Sequence, residues 1–277
     1  MSDSTTASSS QGRDSNAGMG GHEPHSVFCS ATSGEAATIV SLPAVLLLIH
    51  FFVQPVVDAW PRLGYVRFAA ARTAPARRIA PEPFVEHAWW WHELTRLTHA
   101  LIHDPSGYHT HVVGNAALII IAAWALLRLL TALGLRRWFV FLYWEIAVVA
   151  PIVGSFSFDL FGQTAHGYGA STVGYAFLGL VLVTGLFVLG DYARQWVGQR
   201  ARSGRQLRSD GGSSLHPSAV LCLLIAVGGV VLSDLFAAAP ATAVHQAGVG
   251  FGVLVGVVFM SIRGGSVLHD WLPVGRR

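Results

Sequence analysis

Six apolar runs, each close to the ~20 residues that a helix needs to cross the hydrocarbon core of a bilayer, dominate this chain. They cover roughly residues 36–57, 111–127, 138–156, 170–190, 217–239 and 242–262. Backbone in lipid must satisfy its own hydrogen bonds, so such runs are helices or strands of a closed barrel. None of the six alternates with period two, which favours an all-α membrane bundle over a barrel. Composition points the same way. Of the 277 residues, 52% are hydrophobic and 12% charged, about half the charged fraction of a soluble domain.

Between and around the runs the character changes. Residues 1–34 are rich in Ser, Gly, Asp and Thr. Such a stretch cannot bury enough surface to offset its ordering entropy, so it reads as a disordered tail. The long first loop, Asp58 to Tyr108, carries Trp89, Trp90 and Trp91 and then Leu94, Leu97 and Leu101 among polar residues. Tryptophan favours the headgroup layer, so part of this loop is expected to lie along the membrane surface as an amphipathic segment. The Arg/Gly/Ser-rich stretch 191–214 reads as a flexible connector, and 263–277 as a second tail.

The basic residues set the orientation. All 18 are Arg; eleven fall in the connections after the second and fourth runs and in the last tail, six in the long first loop, where charge weighs little in the bias, and none in the short loops 157–169 and 240–241. The positive-inside bias then places both termini in the cytoplasm of a multi-pass cell-membrane protein. The same distribution accounts for the net charge of +3 without a nucleic-acid partner. Cys29 and Cys222 offer neither a disulfide framework nor a metal pattern.

Polar groups inside spans are costly, so each is a site candidate. Runs two, four and six begin at the same, outer face. His111 and Asn115 lie in the first turns of run two, Ser171 in the first turn of run four and His245 in the first turn of run six. All four therefore share one shallow depth. A serine becomes a useful nucleophile beside a histidine base, and acyl transfer also needs donors aimed at the developing oxyanion. His111 and Asn115, four apart, share a helical face. The Ser171 backbone N–H, at a helix N-terminus, lacks an intrahelical partner. Taken singly, each feature has an ordinary explanation. Ser is a common packing residue in membrane helices, and Gly248, Gly252 and Gly256 form a packing seam by default. Their coincidence at one depth carries the reading.

The segments bearing these residues resemble the rhomboid family of intramembrane serine proteases. Gly169-Ala170-Ser171-Thr172 is similar to the family's GxSx motif, and Tyr175 stands where the family carries a tyrosine that stacks on the histidine. Val244-His245-Gln246-Ala247-Gly248 followed by Gly252 resembles AHxxGxxxG, and His111 to Asn115 resembles HxxxN. Arg96-Leu97-Thr98-His99-Ala100-Leu101-Ile102-His103 is similar to the RxxTHAxxH stretch that leads into the second helix. The likeness extends from about Glu93 to Gly256, with the motifs in family order. Thr172 in place of glycine, Val244 in place of alanine, Arg96 one residue closer to Thr98, and the inserted Asp104-Pro105-Ser106-Gly107 depart from it. The insertion leaves His109 as a second candidate beside His111.

The resemblance implies a six-helix rhomboid-like bundle that cleaves transmembrane protein substrates near the outer membrane face. Ser171 would be the nucleophile and His245 the general base and acid. His111, Asn115 and the Ser171 backbone would form the oxyanion site, with Tyr175, Gly169, Gly248 and Gly252 in support. Substrate helices would approach near run five. The expected partners are those substrates and the lipid bilayer, with no cofactor and no metal; oligomeric state is left open. No third acid belongs to such a dyad, so Asp234 reads as an interfacial carboxylate reaching water, and the deeper Glu145 as either protonated or paired, with Arg128 or a serine. Two other functions compete. One is a non-cleaving rhomboid-like binder of membrane helices. The other is a metal-dependent protein using His87, His92, His99, His103, His109 and His111, of which His99 and His103 are otherwise expected to pack the junction of loop and helix.

Overall fold

The computed structural model describes residues 31–59, 70–71, 89–103, 109–162, 166–201, 215–237, 239 and 241–263. The disordered-tail expectation for 1–34 and the tail 263–277 fall almost wholly outside them, as does most of the first loop. Among the described residues the chain is helical apart from short turns and one antiparallel pair, Ala70–Ala71 (β1) with His166–Gly167 (β2). Six helices are long and apolar enough to cross a membrane: α1 (Ser33–Asp58), α3 (His109–Ala132), α4 (Phe139–Phe161, entered through a 3₁₀ turn at Arg136–Trp138), α5 (Ser171–Ala201), α6 (Pro217–Ala237) and α7 (Thr242–Arg263). The chain is thus a multi-pass membrane protein. A shorter helix, α2 (Trp89–Thr98), runs into a 3₁₀ turn at His99–Leu101 within the first loop.

The start of α1 shows how a helix end is secured where water is scarce. Thr32 accepts from the Glu35 N–H at 3.3 Å while the Glu35 carboxylate accepts from the Thr32 N–H at 2.8 Å, a reciprocal cap. Arg136, at the head of α4, grips the same carboxylate through Nε (2.6 Å) and a terminal nitrogen (2.5 Å), a two-pronged charge-assisted contact. Further along, α1 loosens into a π-helical segment at Ile49–Val53 that carries the buried His50.

Helix α5 is the central element and α6 the least buried of the six. In lipid, helices associate by close packing rather than by escape from water, so small residues mark the contacts. Gly252 of α7 meets the Ala176 carbonyl of α5 so closely that a Cβ has no room. One turn earlier, a Cβ on Gly248 would stand 2.6 Å from the Thr172 oxygen. These contacts bring the first turns of α5 and α7 side by side.

Helix α5 continues to Ala201, well past Gly190, where the apolar run ends. Residues 191–201, expected in a flexible connector, are helical; Gln195 donates to the Asp191 carboxylate one turn back at 2.8 Å. The amphipathic expectation for the first loop meets a helix at Trp89–Thr98, with Leu94 and Leu97 exposed and Thr95 buried.

Candidate functional site

Ser171 is the first residue of α5 and is buried. The turn before it exists because Gly169 adopts φ +110°, a conformation that side chains other than glycine disfavour. The Gly169 N–H is tied to the His99 carbonyl at 2.9 Å. Within α5 the first paired N–H groups are those of Val173 and Gly174, both on the Ala170 carbonyl. The Ser171 N–H therefore has no intrahelical acceptor, as expected for a first helical turn.

His245 lies beside this turn. Its ring is stacked flat on that of Tyr175, with centroids 4.3 Å apart and planes 7° from parallel, and its own helix meets Thr172 through Gly248. The imidazole Nδ1 is 2.7 Å from Asp234 Oδ1. Ser171 and His245 stand in the first turns of the two helices that meet at Gly248, with no hydrogen bond between them.

Asp234 corrects the expectation made for it. Its side chain is 8% exposed, and both carboxylate oxygens are engaged, Oδ1 by His245 and Oδ2 by Gln246 Nε2 at 3.1 Å. It does not reach out to water. The sequence signal was its place eleven residues before His245, but which way it faces depends on the rotation of α6. Glu145 is half-buried and makes no hydrogen bond or ion pair among the described residues, so of its two expected states the paired one is not formed there.

On the other side of the Ser171 turn stand Asn115, His111 and His103. A Cβ on Gly169 would lie 3.2 Å from His111 Cε1 and 3.8 Å from Asn115 Nδ2. Asn115 Nδ2 is 3.2 Å from His103 Nε2, and the Ala170 N–H donates to the same nitrogen at 3.4 Å. A backbone N–H can only donate, so His103 Nε2 accepts and its proton resides on Nδ1. One amide hydrogen of Asn115 is thereby used and the other left for a ligand. Of the two candidate histidines, His111 faces the serine turn; His109 pairs instead with His50, Nδ1 to Nε2, at 3.1 Å.

No family model matches this chain. No curated protein matches it either.

His103 thus does more than pack a junction. It is fully buried, and α1 holds it by its backbone: Gln54 Nε2 donates to the His103 carbonyl and Gln54 Oε1 accepts from its N–H. Burial, with His111 and His50 nearby, pushes the His103 imidazole down to about 3, and burial pushes His99 to about 4. Both rings are neutral near pH 7, as the acceptor role of His103 requires. Gln54 was passed over in the sequence, although an amide inside an apolar run is a signal in itself.

Two departures from the motif pattern also find partners. Thr172 packs against Gly154 of α4, where a Cβ would fall 2.6 Å from Thr172 Oγ1; the methyl and hydroxyl fit because α4 is bare there. Arg96 reaches from α2 to Asp159 at 2.9 Å and Ser155 at 3.1 Å, with its guanidinium over the Phe156 ring. No group of His, Cys, Asp and Glu among the described residues is arranged to hold a metal; His87 and the His92 side chain lie outside them.

Proposed function

We propose that this protein is a rhomboid-like intramembrane serine protease that cleaves transmembrane protein substrates near the outer face of the cell membrane, with both termini cytoplasmic. The observation that carries the reading is His245, flanked by Tyr175 and Asp234 and set against the first turn of α5, where Ser171 sits beside the donor pair His111 and Asn115. A packing serine and a boundary histidine have no need of such surroundings.

In this reading the Ser171 hydroxyl attacks the scissile carbonyl carbon and gives its proton to His245 Nε2. The carbonyl electron pair moves onto oxygen, where His111, Asn115 and the Ser171 N–H supply hydrogen bonds. Collapse of the adduct breaks the C–N bond; the amine leaves with the proton from Nε2, and an acyl ester remains on Ser171. Water then attacks the ester, losing its proton to Nε2, and the proton returns to Ser171 as the acid departs. Substrate helices enter past α6, the helix that the rest of the bundle covers least.

The test is cleavage of a single-span substrate by the protein reconstituted in vesicles. Wild type should yield two fragments, and both Ser171→Ala and His245→Ala should yield none. Binding of the substrate without cleavage by wild type would instead mark a non-cleaving binder of membrane helices.

A further inference from the structure

We infer that Asp234 is a positioning residue for His245, making the site a Ser–His–Asp arrangement; this rests on the reading of Ser171 as nucleophile. The carboxylate lies 2.7 Å from His245 Nδ1, a distance typical of a charge-assisted bond. A carboxylate can only accept, so it keeps the proton on Nδ1 and leaves Nε2 with the lone pair that a base requires. Tyr175 fixes the plane of the ring, and Asp234 fixes its rotation within that plane.

A simple tie between α6 and α7 would not need this carboxylate. Two other bonds already join the helices: Gln246 Nε2 to the Val231 carbonyl at 3.2 Å and Thr242 Oγ1 to the Asp234 carbonyl at 3.2 Å. Gln246 also holds Oδ2 at 3.1 Å, which turns Oδ1 toward the imidazole. When Ser171 Oγ–H passes its proton to Nε2, the resulting imidazolium stays bonded to the ionised carboxylate through Nδ1–H, and Asp234 itself takes up no proton. Because Asp234 belongs to α6, the aim of the base depends on how that helix is seated.

The experiment compares purified full-length wild type, Asp234→Asn, Asp234→Glu and Ser171→Ala in detergent, using a fluorophosphonate probe and a single-span substrate. Asp234→Asn should lower kcat and the labelling rate roughly 10²- to 10⁴-fold, with KM and Tm near wild type. Asp234→Glu should recover much of the rate although it is the poorer isostere. In a His245→Ala background, Asp234→Asn should cost nothing further. If Asp234→Asn does not fold, Asp234→Glu against Asp234→Gln gives the same comparison of charge at equal size. Wild type labelled at Ser171 with Asp234→Asn within about threefold of it would overturn the role of Asp234 alone. Wild type that does not label, or labels as Ser171→Ala does, would overturn both this role and the protease reading.

Discussion

Tyr175 and His245 lie ring on ring, 4.3 Å between centroids and 7° from parallel, across the contact between α5 and α7. Tyr175 is one helical turn after Ser171, so the residue that orients the imidazole is carried by the helix that carries the hydroxyl. The stack itself needs a ring and not a phenol. Tyr175→Phe, which keeps the ring and loses only the phenol beside Asp234, should therefore lose less activity than Tyr175→Ala. Tyr175→Ala should lose roughly three- to tenfold in kcat, the equivalent of an aromatic pair worth about 0.5–1.5 kcal/mol. Steady-state cleavage kinetics of the two variants decide it, and equal losses would remove the stack from the account.

Gln54 connects the first helix to the site through one residue. Its amide brackets the His103 backbone, and His103 Nε2 receives Asn115 and the Ala170 N–H. Gln54→Ala leaves a buried N–H and C=O without partners, at about 1–3 kcal/mol. The expected outcome is a lower Tm together with reduced kcat; an unchanged Tm would show that the bracket is dispensable.

Gly252 faces the Ala176 carbonyl with no space for a methyl group. Gly252→Ala must push α7 off α5, which overpacks the seam at about 1–3 kcal/mol and moves His245 away from Ser171. Gly250, with open space around it, is the control on the same helix: Gly250→Ala should change neither Tm nor cleavage.

Acid should weaken the fold through two neutral histidines. His99 and His103 sit at about 4 and about 3 in the folded protein, against about 6.5 in an unfolded chain. Between those values the unfolded state binds more protons, so stability rises with pH. Their contribution is complete above about pH 6.5 and is lost as pH falls toward 4 and then 3. Thermal unfolding measured from pH 7 to pH 4 should show a falling Tm, and a neutral replacement, His103→Gln, should flatten the slope.

The bundle was legible in the sequence because hydropathy over ~20 residues is a strong constraint in lipid. Helix ends were less so. Helix α5 runs on to Ala201 because a helix leaving the apolar layer is sustained by pairs such as Gln195 with Asp191, which hydropathy ignores. Within the candidate site, Ser171, His245, His111 and Asn115 were legible because helix periodicity and shared depth relate them, and Tyr175 because the motif resemblance marks its position. The choice of His111 over His109 rested on its four-residue spacing to Asn115, whereas the place of His109 was not legible, since His50 in the π-helical segment of α1 takes it up. Gln54 and Gly154 were missed, and Asp234 misread, for a common reason: each acts across an interface whose rotation no single run encodes.

Covalent labelling of Ser171 reports on its nucleophilicity without recourse to a substrate. The purified protein in detergent is treated with a fluorophosphonate, digested and mapped by mass spectrometry. One adduct is expected, on Ser171, abolished by Ser171→Ala and strongly slowed by His245→Ala. An unmodified Ser171 in folded, monodisperse protein, or labelling that survives Ser171→Ala unchanged, would contradict the reading of Ser171 as nucleophile.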